Sequence, residues 1–411
     1  MLQDFDASRE NAFFQLFQEY FDLEKDVGKQ HDVANYSLDR LIPLAAAAGN
    51  PEKSLKLIHV AGTKGKGTTS YLTGALITAS GHSCGVFSSP HLDTVRERFQ
   101  VDGRLSEYDE LEALAKPLCA EIRSRGLHPS LFEIFTVLAL QYFQAKDVEY
   151  VVLETGIGGR LDATNYPEEK LVTAITPLSY DHMALLGNDI RQIAAEKAGI
   201  LRRNTPVVLS RQPYPEGEAT ILQKASELQA PVLRPDTTCD AASWLPAGAP
   251  PYLWENFQSA WRIVEVLGLQ PDRAAFRPPR LRARFERIRE NPPVVLDAAH
   301  NGDSARRLAE AVAVCYPGCH FVCVLGSVPG KDVSGIVEGL KGMDAEFILT
   351  NPETPRGSAL PQLEEAARKA GLKIRAVLPT LVSVEQLPSG EPILFTGSFF
   401  TALIGEKLFH V

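Results

Sequence analysis

The run His59-Val60-Ala61-Gly62-Thr63-Lys64-Gly65-Lys66-Gly67-Thr68-Thr69 limits what this chain can become more than any other stretch of it. An apolar segment, Leu57–Ala61, leads into a glycine-rich turn. A helical pattern follows from Thr68 to Ser80, and Gly81 stops it. Glycines let backbone N–H groups converge on an anion, and a helix N-terminus adds partial positive charge at the same point. Lys66 is placed to reach the outer phosphates of a nucleotide, and Thr68 or Thr69 to help hold Mg²⁺. A plain strand–helix turn is the competing reading, and it accounts less well for Gly-x-x-Gly-Lys-Gly-Thr-Thr behind an apolar strand. The spacing also departs from the general phosphate loop. Val60 stands where the first glycine belongs, and Gly67 separates the lysine from the first threonine.

The rest of the chain repeats the same alternation of apolar runs and helical periods, which predicts an α/β architecture with parallel sheets. Strands are expected at Val148–Leu153, Leu171–Thr176 and Pro206–Ser210, and helices at Leu131–Ala145 and Ile190–Ala198, with Gly199 just past the end of the latter. Between Pro213 and Pro251 the pattern weakens and no chemistry can be placed. A helix over Glu255–Leu267 precedes a Pro- and Arg-rich segment, Pro271–Arg282, that reads as a linker. A second series follows: Pro293–Ala298, His320–Leu325, Ala345–Thr350, Lys373–Leu378 and Pro392–Thr396. Five strands in so short a stretch fit a Rossmann-like domain. With 411 residues the chain is too long for one core. The expected division is an N-terminal domain over 1–275, a linker over 276–283 and a C-terminal domain over 284–411.

A net charge of −9 argues against a nucleic-acid surface, although a few buried cations can still gather small anions. Asp4, Asp6, Arg9 and Glu10 precede any apolar run, so no signal peptide is read, and no uncharged apolar stretch would span a bilayer. The expectation is a cytoplasmic protein. Cys315, Cys319 and Cys323 recur every fourth residue, but a buried-thiol reading is preferred to a metal site.

The run GTKGKGTT resembles the Mur-ligase superfamily, and its extra glycine resembles the folylpolyglutamate synthase/dihydrofolate synthase branch. The resemblance continues in order along the chain. SSPHLDTVRERFQVDG from Ser88, LFEIFTVLALQYF from Leu131, LETGIGGRLDATN from Leu153 and DHMALLGNDIRQIAAEKAGI from Asp181 are similar to family segments. So are RFERI from Arg284, LDAAHN from Leu296, GKD from Gly330, PRG from Pro355 and TGSFF from Thr396.

That resemblance implies a Mur-ligase-like fold, with an N-terminal P-loop ATPase domain and a smaller C-terminal Rossmann-like domain. It implies an ATP-dependent ligase that adds L-glutamate to a folate-type acid, either tetrahydrofolate forms or dihydropteroate, through an acyl phosphate. Magnesium and ATP are the implied cofactor and co-substrate, and a monomer with no nucleic-acid or membrane partner is expected. A Mur-type ligase acting on a non-folate carboxylate is the alternative; Gly67 and the Phe132-Glu133 block count against it. Anions must meet, so cations and positioning matter more than an acid–base pair.

By the same resemblance Gly62, Thr63, Lys64, Gly65, Lys66, Gly67, Thr68 and Thr69 hold ATP, joined by Asn256, Arg284 and Asp297. The family's Pro-Gly-Arg reads Arg282-Ala283-Arg284 here. Thr68, Ser89, Glu154, His182 and Lys197 are the implied metal ligands, Lys197 after carbamylation by CO₂. Read alone, Glu154 is a strand-end carboxylate that a helix N-terminus could satisfy, although the Gly-Ile-Gly-Gly turn after it favours a metal; Ser89 is part of a turn, His182 a structural loop histidine, and Lys197 an exposed lysine paired with Glu196 or another acid. Leu38, Arg40, Phe132, Glu133, Arg160, Leu161 and Asp162 are implied around the folate, although Phe132 could simply be core. The family's Gly-Leu reads Ser37-Leu38. His300, Arg356 and Ser398 are the implied glutamate contacts, with Lys66, Lys197 and His300 as the catalytic set.

Overall fold

The computed structural model describes residues 6–22, 36–352 and 358–409. They fall into two compact units, one made of 6–246 and 253–279, the other of 247–252 and 280–409.

The first unit is built on an eight-stranded sheet in the order β4-β3-β2-β5-β1-β6-β7-β8. Its strands are β1 (Lys56–Ala61), β2 (Cys84–Phe87), β3 (Phe99–Val101), β4 (Arg104–Leu105), β5 (Tyr150–Glu154), β6 (Val172–Ile175), β7 (Val207–Leu209) and β8 (Val232–Leu233). Six of them run parallel, while β3 and β4 continue antiparallel from β2. Strand β1 sits between β5 and β6, and every residue of it after Lys56 is buried. A strand covered on both faces is apolar except where a polar side chain finds a partner, so Leu57–Ala61 reads as a nearly continuous run, and its one polar member, buried His59, meets Thr164 Oγ1 at 2.8 Å. From β1 the chain moves to one side for β2 and later to the other for β6. The C-terminal ends of β1, β5 and β6 therefore open at a topological switch point, where parallel sheets present ligands.

One face of this sheet is covered by the helices Tyr108–Ser124 and Leu131–Ala145. Phe135 lies at the centre of an aromatic cluster, with ring centroids 5.3 Å from Phe17, 5.9 Å from Phe99 and 6.3 Å from Phe13. Full burial of each such ring is worth about 1.5–3 kcal/mol. The helix Leu131–Ala145 starts where Ser130 accepts from the Glu133 N–H and Glu133 reaches back to the Ser130 N–H.

The other unit carries a six-stranded sheet in the order β13-β12-β11-β14-β10-β9. Here β9 is Glu286–Glu290, β10 Pro293–Leu296, β11 Phe321–Leu325, β12 Ala345–Thr350, β13 Ile374–Leu378 and β14 Ile393–Thr396. Strands β10 to β14 are parallel, and β9 pairs antiparallel to β10 at the edge. The anticipated five-stranded series matches β10 to β14. The sixth strand, Glu-Arg-Ile-Arg-Glu, escapes an apolar-run search because an edge strand is charged where it meets solvent.

Two further expectations change. The segment after Pro213 holds a helix, Pro215–Glu227, whose buried stripe is Gly217, Ile221 and Ala225. Small residues make that stripe faint in sequence, and they are needed because a Cβ on Gly217 would stand 2.9 Å from Leu178. The helix expected from Glu255 starts at Pro251 and ends at Val266. Cys323 lies buried in β11, and burial pushes its thiol pKa up. Among the described residues no helix is long and apolar enough to cross a membrane.

Candidate active site

The glycine-rich loop leaves β1 and enters the helix Lys66–Ala79. Gly62 has φ of +145°, and a Cβ there would stand 1.9 Å from Thr176 Oγ1, so only glycine fits. The Thr63 and Lys64 amides both donate to the Pro177 carbonyl, at 3.1 and 3.0 Å. That pulls the front of the loop onto the end of β6 and leaves the first-turn amides of Lys66, Gly67 and Thr68, which have no intrahelical acceptor, as the donors an anion would meet. Thr68 and Thr69 are buried, and Thr69 Oγ1 has no partner among the described residues. Gly65, at φ of +80°, is the helix N-cap, and a Cβ there would stand 2.3 Å from Asn256 Oδ1. Asn256 is thus packed directly behind the loop.

Register places Glu154, the last residue of β5, opposite Val60 of β1. Its buried carboxylate accepts from the Ser89 N–H at 3.2 Å, which joins the loop after β2 to the end of β5. His182 stands at φ of +50° next to Asp181, with Nε2 3.9 Å from the aspartate oxygen. Among the described residues no three His, Cys, Asp or Glu side chains converge as a protein-only cage. One buried carboxylate, with the Thr69 Oγ1 left unpartnered among the described residues near the start of the helix after β1, fits Mg²⁺, which keeps few protein ligands and completes its shell with waters and substrate phosphates.

Lys197 is buried on the helix Ile190–Ala198, and Nζ donates to the Gly62 carbonyl at 2.8 Å. Burial lowers its pKa to about 7; Lys66 pushes the same way, while Asp181 and Asp162 oppose. The exposed-lysine alternative does not describe this residue. Glu196 pairs instead with Arg160, at 2.8 Å.

Gly156 gathers the implied acceptor residues. A Cβ on it would stand 2.7 Å from the Phe132 ring and 3.2 Å from Asp162 Oδ2. Phe132 is only partly buried, unlike its neighbours Leu131 and Glu133, and lines a cavity of about 100 Å³ with Phe14, Asp22, His91, Arg98, Leu131 and Phe135. Buried Asp162 accepts from the amides of Ile157 (2.8 Å) and Thr164 (3.0 Å), and burial raises its pKa. Leu161 is half-buried and Arg160 exposed. Glu133 is already engaged: Arg40 donates to it at 2.8 Å and the Ser130 amide at 2.6 Å. Arg40 closes a short 3₁₀ turn, Leu38–Arg40, capped by Ser37. Ser37, standing where the family has glycine, therefore has a local job.

In the C-terminal unit, Asp297 and Ser398 follow the ends of β10 and β14. Asp297 accepts from the amides of Phe285 (2.8 Å) and Ala299 (2.9 Å) and from the Tyr252 hydroxyl (3.2 Å), and burial raises its pKa to about 6. Its oxygens hold the turn that presents Arg284. Ser398 accepts from the Thr401 amide at 3.1 Å and so caps the helix Phe399–Phe409. His300 Nδ1 contacts the Ala298 carbonyl at 2.9 Å, which assigns the proton to Nδ1 and orients the ring. Phe399 ties two of these groups together: its ring lies 6.3 Å from that of His300 and 6.0 Å from the Arg284 guanidinium. Arg356 lies outside the described residues.

Sequence reasoning misses buried Asn165 and Lys170 and half-buried Arg202, which form a polar knot behind Arg160 and Lys197. Asn165 closes the LDATN run and Lys170 precedes an apolar strand, so a lysine leading into β6 is the signal that could have found them.

Residues 283–399 match the Mur ligase, glutamate ligase domain. A dihydrofolate synthase/folylpolyglutamate synthase of Mycobacterium tuberculosis is 31% identical, over 91% of this chain and 90% of that protein. The structure of Mycobacterium tuberculosis folylpolyglutamate synthase complexed with ADP superposes with a TM-score of 0.82 at 29% identity, covering 98% of this chain and 99% of that one. A bifunctional folylpolyglutamate synthase/dihydrofolate synthase with Mn, AMPPNP and L-glutamate bound gives 0.73 at 29% identity, over 92% and 95%.

Proposed function

The chain belongs to the folylpolyglutamate synthase/dihydrofolate synthase family, and from that premise we propose how it joins L-glutamate to a folate-type acceptor with cleavage of ATP. The γ-phosphoryl group passes to an acceptor carboxylate oxygen, giving an acyl phosphate and ADP. The glutamate amine then attacks the activated carbonyl, loses a proton, and expels inorganic phosphate. Neither reacting acid is intrinsically reactive, so the chain's task is to bring anions together and hold them in line.

Lys66 and the first-turn amides of its helix bind the phosphates, backed by Gly65 against Asn256. Glu154, Ser89, Thr68, His182 and Lys197 are assigned to Mg²⁺, which when bound neutralises phosphate charge. Phe132, Leu161 and Asp162 are assigned to the acceptor, with Leu38, Arg40 and Glu133 supporting them and Arg160 at the exposed rim. In the C-terminal unit Arg284 is assigned to phosphate charge, and His300, Ser398 and Arg356 to the incoming glutamate. Asp297 acts through the Arg284 turn. Lys197 takes up CO₂ as a carbamate: its neutral amine forms the N–C bond and releases one proton, leaving an anionic oxygen donor near Lys66. A buried amine with a pKa of about 7 supports this, because only the unprotonated form reacts.

One observation carries the reading. The Lys197 amine reaches Gly62 of the phosphate loop, while Glu154 lies one strand away in register with Val60. Purified protein given ATP, Mg²⁺, glutamate and either dihydropteroate or tetrahydrofolate should yield the acceptor-plus-glutamate product by mass spectrometry. With ¹⁸O in the acceptor carboxylate, the label should appear in released phosphate. Glutamate-independent ATP cleavage, or unlabelled phosphate during ligation, would defeat the mechanism.

A further inference from the structure

Behind the loop that carries Arg160, Leu161 and Asp162 lies a buried amide with every polar valence in use. Asn165 is 3% exposed. Its Nδ2 donates to the carbonyls of Arg160 at 3.0 Å and Gly199 at 3.1 Å. Its Oδ1 accepts from Lys170 Nζ and, at 3.0 Å, from Arg202 Nη2. A side-chain amide has two N–H donors and two oxygen lone pairs, so this one is saturated. Only one orientation works, because the flipped amide would aim its N–H groups at the Lys170 and Arg202 donors and its oxygen at two carbonyls.

The partners extend the seam. Arg202 Nη1 donates to the carbonyls of Gly199, Ile200 and Leu201, at 3.3, 3.3 and 3.2 Å, just beyond the helix that bears Lys197. Lys170 also reaches the Ile200 carbonyl at 3.4 Å. On the loop side, the Arg160 amide donates to the Glu196 carbonyl at 2.7 Å. Gly159 and Gly199 then interlock: a Cβ on Gly159 would stand 3.0 Å from Lys197 Cα, and one on Gly199 2.4 Å from Arg160 Cβ. Burial and then the neighbouring Arg202 depress the Lys170 pKa while Glu168, 3.2 Å from Arg202, opposes, and Asn165 Oδ1 is the acceptor that both nitrogen groups share.

We propose that Asn165, clamped by Lys170 and Arg202, is a positioning residue that fastens the Arg160–Asp162 loop to the Lys197 helix, so that acceptor placement and carboxylate activation are set by one rigid piece. The proposal rests on the assignment of Arg160–Asp162 to the acceptor and of Lys197 to the activating site. Asn165 itself touches neither substrate. It makes the distance between the two assigned elements insensitive to the movement of either.

Asn165→Asp tests this, because it is isosteric, keeps acceptance from both cations and loses both donors. Lys170→Met removes a clamp without altering the amide, and Lys170→Arg is the conservative control. Kinetics with each substrate varied separately should show acceptor KM raised and kcat lowered, each about tenfold, for Asn165→Asp and Lys170→Met. ADP affinity by calorimetry should stay within about twofold, since neither substituted side chain bonds the phosphate loop, and Lys170→Arg should recover most activity. Unchanged kcat and KM with only a lower Tm would overturn the proposal. Hydrogen exchange on the ligand-free protein supplies a second readout that does not depend on ligase activity. Amides in 160–165 and 196–201 should speed up together in Asn165→Asp and Lys170→Met, and acceleration of one segment alone would overturn the coupling. Wild-type protein without ligase activity would sink the functional assignment while leaving that exchange result readable.

Discussion

The Lys197 ammonium donates to the Gly62 carbonyl at 2.8 Å, fastening a buried helix to the first glycine of the phosphate loop. The bond is made by a group whose burial opposes its own charge, and that conflict can be measured.

With a folded pKa near 7 against an ordinary value of 10.5, Lys197 binds fewer protons in the folded than in the unfolded chain between those limits. Stability rises with pH wherever the unfolded state holds more protons. Its contribution therefore makes ligand-free protein more stable as pH rises from about 7 toward 10, whereas below 7 both states are protonated and the penalty is constant. Urea unfolding at pH 7, 8 and 9 should show this slope, and Lys197→Met should flatten it while abolishing ligation. An unchanged slope in the variant would assign the pH dependence elsewhere.

Gly159 and Gly199 face backbone or side-chain stems rather than flexible tips. Gly159→Ala would put a methyl group 2.7 Å from the Glu196 carbonyl oxygen, and Gly199→Ala one 2.4 Å from Arg160 Cβ. Each should destabilise the N-terminal unit by about 1–3 kcal/mol and lower kcat, read by denaturation and initial rates. Gly81→Ala is the contrast: nothing lies within 4 Å of its Cβ position, so only the cost of its positive φ remains.

Ala283 sits at φ of +52° and Phe285 at +54°, flanking Arg284. An L-residue in that region costs roughly 1–2 kcal/mol. Ala283→Gly should therefore stabilise the C-terminal unit by about 1 kcal/mol after the entropy that glycine adds to the unfolded chain, with KM for ATP unchanged. Ala283→Val should do the reverse. Equal stability in all three would show that the turn carries no strain.

Glu133 holds Arg40 and closes the start of the helix Leu131–Ala145. Glu133→Gln removes the charge from the Arg40 pair and weakens the reach back to Ser130. The expected outcome is a loss of about 1–3 kcal/mol in stability and a higher acceptor KM with ATP KM unmoved. A shift in ATP KM alone would contradict its placement.

Much of the architecture was legible because covered parallel strands are built on apolar runs, as in Val151–Leu153 of β5 and all of β11. What stayed hidden lacks that imprint. Strand β9 is charged, β4 has two residues, and the helix Pro215–Glu227 buries a glycine and an alanine where a helical stripe would ordinarily carry leucine. The phosphate loop announced itself through glycines and lysines close in sequence. Lys197 did not: nothing in Ala-Ala-Glu-Lys-Ala tells a buried amine from an exposed one, and burial is a tertiary fact. Asp297 and Ser398 show the opposite difficulty. Their residue types suit ligand contacts, yet the folded chain gives Asp297 to two backbone amides and Ser398 to a helix cap. Asn165 was visible within a motif, but its role exists only through Lys170 and Arg202.

The placement of β1 between β5 and β6 has a kinetic corollary. Its neighbours in register are Tyr150–Glu154 and Val172–Ile175, so the strand that feeds the phosphate loop gains its first partner only after roughly ninety further residues have been made and its second after roughly 110. Such distant pairings are slow to form. A nascent chain that has just exposed the loop owns the glycines and the lysine but no floor beneath them. Nucleotide affinity should thus emerge late and abruptly during synthesis, as β6 docks, and a ribosome-stalled fragment ending before residue 150 should bind none.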